Sequence, residues 1–335
     1  MNWQMEELKK IKWGIIGLGN IAHQFVKDLE LISGAQLLAV GSRDINKAKN
    51  FAKMHKAKKF YGSYKEVMQD DDVDIIYIAT PHDSHADLTV KSLQQGKHVL
   101  CEKPVALNYH EAKQMVEASG SNNRFFMEAF WTRFNPSIQE VLMKIRNNEI
   151  GEIKYVNADF AFNVGTPQKR MIDIENGAGS LMDMGVYPLF LSYLVLGKPE
   201  YVLASANFYD SGADQQTSMI LQYSNAHAVL HSSFVAPSNM IATISGTEGR
   251  ICLSPVWHET QSYSIIKNNH KVVYQFPTKG KGFTYEIEEC HRCILNNEIE
   301  SDLWSHKDSL NLIQIVDEVR KQIGLQFPSE KQLNQ

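Results

Sequence analysis

At 335 residues the chain is too long for one ordinary hydrophobic core, so about two domains are expected. Its 34 basic and 38 acidic residues are interspersed to a net charge of −4, with no basic run able to track a phosphate backbone, which argues against a nucleic-acid partner. No apolar segment approaches the roughly 20 residues of a membrane span, WGIIGLG is glycine-broken without a cleavage site, and the four cysteines are too scattered for a disulfide framework; a chain of the reducing cytoplasm, free of membranes, is expected.

From Lys12 to about Phe130, short β-branched runs (WGIIGLG, QLLAVGS, VDIIYIAT, HVLCEK, RFFMEAF) alternate with stretches of helical period such as INKAKNFAKMHK and YHEAKQMVEAS. Strands without polar alternation, each followed by a helix, predict a doubly wound parallel sheet covered on both faces. The first strand runs into Gly17-Leu18-Gly19-Asn20-Ile21-Ala22 of a GxGxxA. Gly17 permits the tight turn, Gly19 lets backbone approach a pyrophosphate, Ala22 lets helix and strand pack, and the free N–H groups at Asn20, Ile21 and Ala22 suit phosphate. A glycine-rich turn without a nucleotide is the plain alternative.

The second strand ends Ser42-Arg43-Asp44, with Lys47 one turn on. An acid there favours a free ribose 2′-hydroxyl and an arginine a 2′-phosphate, so NADP is expected over NAD; Arg43 as a solvated loop charge is the alternative. The VDIIYIAT strand ends in Thr80, Pro81, His82 and His85, at the edge where open α/β sheets bind ligands. HVLCEK ends on the same edge with Glu102 and Lys103. Pro104 then turns the chain outward, with a cis Lys103–Pro104 bond expected.

After Pro136, SIQEVLMKIRNNEIG reads as a bridging helix ending near Gly151, and period-two strands follow: EIKYVNADFAF, EYVLASANFYD, TSMILQYSNAHAVLHSSFV, MIATISGTEGRICLS and SYSIIKNNHKVVYQF. They predict an open, mainly antiparallel sheet with helices on one face, closed by helices near 283–296 and 306–323. Between the strands, GAGSLMDMGVYP leads into an apolar helix in which Asp183 and Tyr187 are spaced i, i+4 and can share a face, while Pro188 either kinks that helix or marks its start. Asp183 as a capping carboxylate and Tyr187 as a core aromatic are equally open at this level. Cys290 and Cys293 sit at helical spacing with Phe283 and Ile287, as core thiols rather than half of a metal site. Trp131, Phe162, Trp257 and Phe283 can wall an apolar ring face, with ordinary core packing as the alternative for each. Glu128 and Arg133 flank Trp131; Arg133 is a substrate-side candidate, unless the two charges simply pair at the domain junction.

GxGxxA at Gly17, the ATPH loop, CEKP around Lys103, MEAFWTRFNP and GAGSLMDMGVYP, in this order, resemble the Gfo/Idh/MocA oxidoreductase family, over nearly the whole chain from Lys12. MEAFWTRF and Tyr187 resemble its subgroup of dihydrodiol and NADP-dependent D-xylose dehydrogenases. The resemblance implies an N-terminal Rossmann domain over residues 1–127 after a tail of ten or so residues, and an α+β domain for substrate and association over 128–335. It also implies Lys103 beside nicotinamide and substrate, Asp183 and Tyr187 as the second half of the catalytic set, and Arg170 on the substrate side. His82 stands where many relatives carry asparagine.

The expected chemistry is reversible hydride transfer between nicotinamide and a carbinol carbon of a sugar, polyol or cyclic trans-diol, with no metal. Lys103 is expected at hydrogen-bond distance from Tyr187, lowering its phenol from a free value near ~10 so that it serves as a base. A reductase of a keto or unsaturated substrate, and an NADP-binding sensor without turnover, are the alternatives. A homodimer or homotetramer through the second sheet is expected, because helices on one face leave the other needing cover.

Overall fold

The computed structural model describes residues 10–333, so the expected N-terminal tail lies outside the described residues. Six strands form the first sheet: β1 (Ile11–Ile16), β2 (Ala35–Gly41), β3 (Lys59–Tyr61), β4 (Ile75–Ile78), β5 (His98–Glu102) and β6 (Phe126–Ala129), all parallel in the order 3-2-1-4-5-6. Continuous apolar runs such as Ile75–Ile78 are buried on both faces, as a helix-covered parallel sheet requires. Strand order reverses between β1 and β4, which opens a crevice at their carboxyl ends. Three-residue β3 escapes sequence reading because it is too short to show a period. The last strand, Phe126–Ala129, crosses the expected division between residues 127 and 128.

Eight strands form the second sheet: β7 (Ile153–Ala161), β8 (Tyr201–Phe208), β9 (Asp214–Gln222), β10 (His227–Ser233), β11 (Ala242–Gly246), β12 (Arg250–Leu253), β13 (Ser262–Lys267) and β14 (His270–Gln275). Their order is 14-13-12-11-7-10-9-8, antiparallel except where β10 runs parallel to β7. Here polarity does alternate: in β9, Thr217, Met219 and Leu221 face inward while Ser218, Ile220 and Gln222 face out. The inner face packs on the helices Val186–Leu196 and His306–Ile323. Across the outer face Leu203, Ile220 and Val229 are successive cross-strand neighbours that stay exposed.

The chain's last third returns to the first sheet. The Asp28 carboxylate accepts the amides of Lys281, Gly282 and Phe283 at 2.8–2.9 Å, which fixes the start of the helix Thr284–Leu295. Phe25 stacks on Tyr77 at 3.8 Å and meets Phe283, which stacks on Trp131 at 4.6 Å, so one aromatic column ties the chain's last third to the first sheet. Contrary to expectation, the stretch Ile174–Leu196 is long and apolar enough to cross a bilayer, but 78 % of its most apolar window is buried in the fold, as befits a core helix. Cys290 and Cys293 are core members too.

Candidate active site

The nucleotide end follows from glycine geometry. Gly17 has φ +86°, and a Cβ there would lie 2.4 Å from the Ala79 backbone, so β1 and β4 approach closely only because this residue has no side chain. A Cβ on Gly19 would meet nothing within 4 Å: the turn faces open space beside the N-terminus of the helix Asn20–Leu29. The first amide inside that helix to find a carbonyl is His23, on Gly19, which leaves those of Asn20, Ile21 and Ala22 for a pyrophosphate. The cradle therefore fits a dinucleotide. At the end of β2, Asp44 is spent as the N-cap of the helix Ile45–His55, accepting the amides of Asn46 and Lys47, while Arg43 and Lys47 are exposed. Ser42 is buried and accepts the Asp44 amide.

Three contacts hold the loops of this edge. Thr80 Oγ1 accepts from Ser84, beside Pro81. His82 Nδ1 donates to the Gly177 carbonyl at 3.1 Å, bridging to the second domain; burial, then Lys103, push this imidazole below its ordinary value. His85 is fully buried, with Nδ1 2.9 Å from the Pro104 carbonyl and Nε2 3.0 Å from that of Thr80. Burial pushes it down to about 4, so the neutral ring donates to one of the two.

The Lys103–Pro104 peptide is cis, as expected. The turn after it is pinned from three sides: His85 reaches Pro104, Glu128 accepts the Val105 amide at 2.9 Å, and Arg320 donates to the Leu107 carbonyl at 2.8 Å. Glu102 points into the core, where Tyr77 donates to it; burial raises its carboxyl. Lys103 points the other way, across the cleft. Its Nζ donates to the Asp183 carbonyl at 2.7 Å, stands 3.5 Å from Asp183 Oδ1 and 5.0 Å from the centroid of the Tyr187 ring. Burial raises the Asp183 carboxyl, but Lys103, His82 and Arg170 together outweigh it and hold it below the usual carboxylate value.

Asp183 and Tyr187 come together through a change of helical pitch. Leu181–Gly185 is a π-turn in which the Val186 amide reaches back five residues to Leu181; the α-helix Val186–Leu196 begins directly after it. Pro188 therefore sits in the first turn of a new helix, where a missing N–H costs little. The Tyr187 hydroxyl accepts from Trp131 Nε1 at 2.9 Å, and its own proton has no acceptor among the described residues. The expected lowering of its pKa is corrected here: Lys103 lies over the ring rather than at the oxygen, and burial, reinforced by Glu102, pushes the phenol well above 10.

Of the aromatic candidates, Trp131 and Phe283 stack beside Tyr187. Trp257 is fully buried, its indole donating to the Asp159 carbonyl at 2.7 Å, and Phe162 lies exposed at the end of β7. Arg170 is exposed, within electrostatic reach of Asp183. The alternative of a Glu128–Arg133 pair does not form: Glu128 takes Val105 and Trp304, and Arg133 lies buried with Nε and Nη1 unpartnered among the described residues. Sequence reading missed Phe160 and His258. The His258 ring stacks on Phe160 at 4.2 Å and stands 5.1 Å from the Tyr187 ring. Its signal was adjacency to Trp257.

Residues 11–130 match the model of the oxidoreductase family with an NAD-binding Rossmann fold, and 138–252 that of the GFO/IDH/MocA C-terminal domain. The chain belongs to the Gfo/Idh/MocA oxidoreductase family. Within that family it is similar to the trans-1,2-dihydrobenzene-1,2-diol dehydrogenases of Xenopus laevis, 37 % identical over 95 % of this chain and 99 % of that one, and of Bos taurus, 35 % identical over 96 % and 99 %. A 3-ketoreductase from Actinomadura kijaniata, solved with NADP and TDP-benzene, superposes with a TM-score of 0.85 at 26 % identity over 94 % of this chain and 98 % of that one. Membership of the Gfo/Idh/MocA family, with this cradle, makes the protein an NAD(P)-dependent oxidoreductase.

Proposed function

We propose that the protein catalyses reversible NADP-linked hydride transfer at a carbinol carbon of a sugar, polyol or cyclic trans-diol, with Tyr187 carrying the proton and Lys103 orienting substrate and phenol. The observation that carries this reading is the meeting of Lys103 with Asp183 and Tyr187 across the cleft, at the carboxyl edge of the parallel sheet. The dihydrodiol dehydrogenases and the NADP-bound ketoreductase similar to this chain support the substrate class. NADP over NAD is supported by the commitment of Asp44 to its cap, which leaves Arg43, Lys47 and Ser42 to meet a 2′-phosphate.

The Gly17–Ala22 turn would hold NADP, which when bound would supply the hydride chemistry. Tyr187, a neutral phenol whose proton is uncommitted, donates it to the carbonyl oxygen in reduction and regains it in oxidation. Lys103 stabilises the negative charge that develops on that oxygen, and Asp183 holds the ammonium in place. Association through the outer face of the second sheet is supported by the exposed Leu203, Ile220 and Val229. A reducing cytoplasm is supported by four free thiols. The test is NADP reduction against aldoses, inositols and vicinal diols, with Tyr187→Phe as control. NADP binding with no turnover across the panel would make the protein a sensor instead.

A further inference from the structure

Beside the proton-transfer residues stands an imidazole that this chemistry does not use. His258 follows Trp257 in a short 3₁₀ turn whose entry residue, Val256, holds φ +58°, a left-handed conformation that a β-branched residue adopts only when its surroundings impose it. The surroundings do so here. Trp257 is anchored on the Asp159 carbonyl, and the His258 carbonyl accepts from Thr132 Oγ1 at 2.7 Å. The turn is thus fixed to β7 on one side and to the segment carrying Trp131 on the other.

The ring so presented is only 8 % exposed, among aromatic side chains: Phe160 stacked at 4.2 Å, Tyr187 at 5.1 Å and Trp131 edge-on at 6.0 Å. Its Nδ1 is buried without a hydrogen-bond partner among the described residues. An orphaned polar atom in such a wall is costly unless a ligand or water completes it. An aromatic wall of this kind suits the apolar face of a cyclic substrate, and Tyr187 and Lys103 serve the reacting oxygen. The His258 ring stands 5.1 Å from that of Tyr187, so the two are neighbours in one wall.

We infer that His258 is a specificity-determining residue that hydrogen-bonds a substrate hydroxyl other than the reacting one, so that a ring rich in hydroxyls, a carbohydrate, is favoured over a diol on an otherwise apolar ring. This rests on the dehydrogenase reading above and names the substrate class within it. Burial, followed by Lys281 and Lys103, pushes the imidazole down to about 3, so it meets the hydroxyl as a neutral ring that can donate or accept.

The experiment compares kcat/KM of the full-length wild type, His258→Phe and His258→Asn for two probes, D-xylose and trans-1,2-dihydrobenzene-1,2-diol, with NADP. His258→Phe lowers the value for the sugar by about 10- to 100-fold and leaves that for the arene diol within about threefold, while KM for NADP is unchanged. His258→Asn recovers part of the loss on the sugar, which a packing role would not give. Wild-type turnover combined with an absent effect, or with an equal loss on both probes, overturns the role of His258 alone. Wild-type turnover of neither probe overturns the dehydrogenase reading, and this inference with it.

Discussion

Replacing Glu128 by Gln should flatten the pH dependence of stability by an amount that the structure sets. The carboxyl is 3 % exposed, and burial pushes it up from 4.5 to about 7 in spite of donors that include Trp304 and the Val105 amide. Between those two values the folded chain keeps a proton that the unfolded chain has released. Stability therefore falls as pH rises through that window and levels off above it, a total cost of about 3 kcal/mol. About 2.5 kcal/mol of this lies between about pH 5 and about pH 8. Glutamine is neutral throughout, so the variant lacks this component. Its side-chain amide meets Trp304 less well, but that penalty is common to both conditions and cancels. Urea unfolding of both proteins at the two pH values, followed by tryptophan fluorescence, reads the difference directly. Parallel responses agreeing within about 0.5 kcal/mol would refute the claim that Glu128 stays protonated in the fold.

Three further outcomes are expected. Lys103→Met removes the ammonium that bridges the cleft, so kcat should fall by about 10³-fold while NADP affinity, measured by fluorescence titration, changes by less than about threefold. Arg43→Ala should cut the preference for NADP over NAD by about 10- to 100-fold, almost all of it through KM for NADP; unchanged preference would show that the arginine is only a solvated charge. Ile220→Glu sets a charge in the middle of the exposed row Leu203–Ile220–Val229, and light scattering should then report the mass of one chain where the wild type gives two or more.

Both sheets were legible in the sequence because their patterns differ in kind. Buried strands such as Ile75–Ile78 are apolar throughout, whereas β9 alternates, and each pattern names its own layer arrangement. The glycine turn was legible for the same reason: Gly17 and Gly19 act through backbone, which local sequence encodes. Contacts between residues distant in the chain were not. Trp131 and Tyr187 are 56 positions apart, and no spacing rule reports that the indole takes the phenolic oxygen. The placement of Lys103 over the ring rather than at the hydroxyl depends on the π-turn Leu181–Gly185, and Pro188 showed only that some irregularity had to occur there. Proximity in sequence offered a Glu128–Arg133 pair as the plain alternative, but β6 sends the glutamate toward Val105 and Trp304.

The hydrogen bond from Lys103 to the Asp183 carbonyl is also a gauge of separation between the two domains. It ties a residue at the end of β5 to main chain of the π-turn that leads into the helix carrying Tyr187, so it does not depend on the rotamer of Asp183. The bond runs from a side chain of the first domain to main chain of the second, so its 2.7 Å length registers how far the end of β5 stands from the turn before Tyr187.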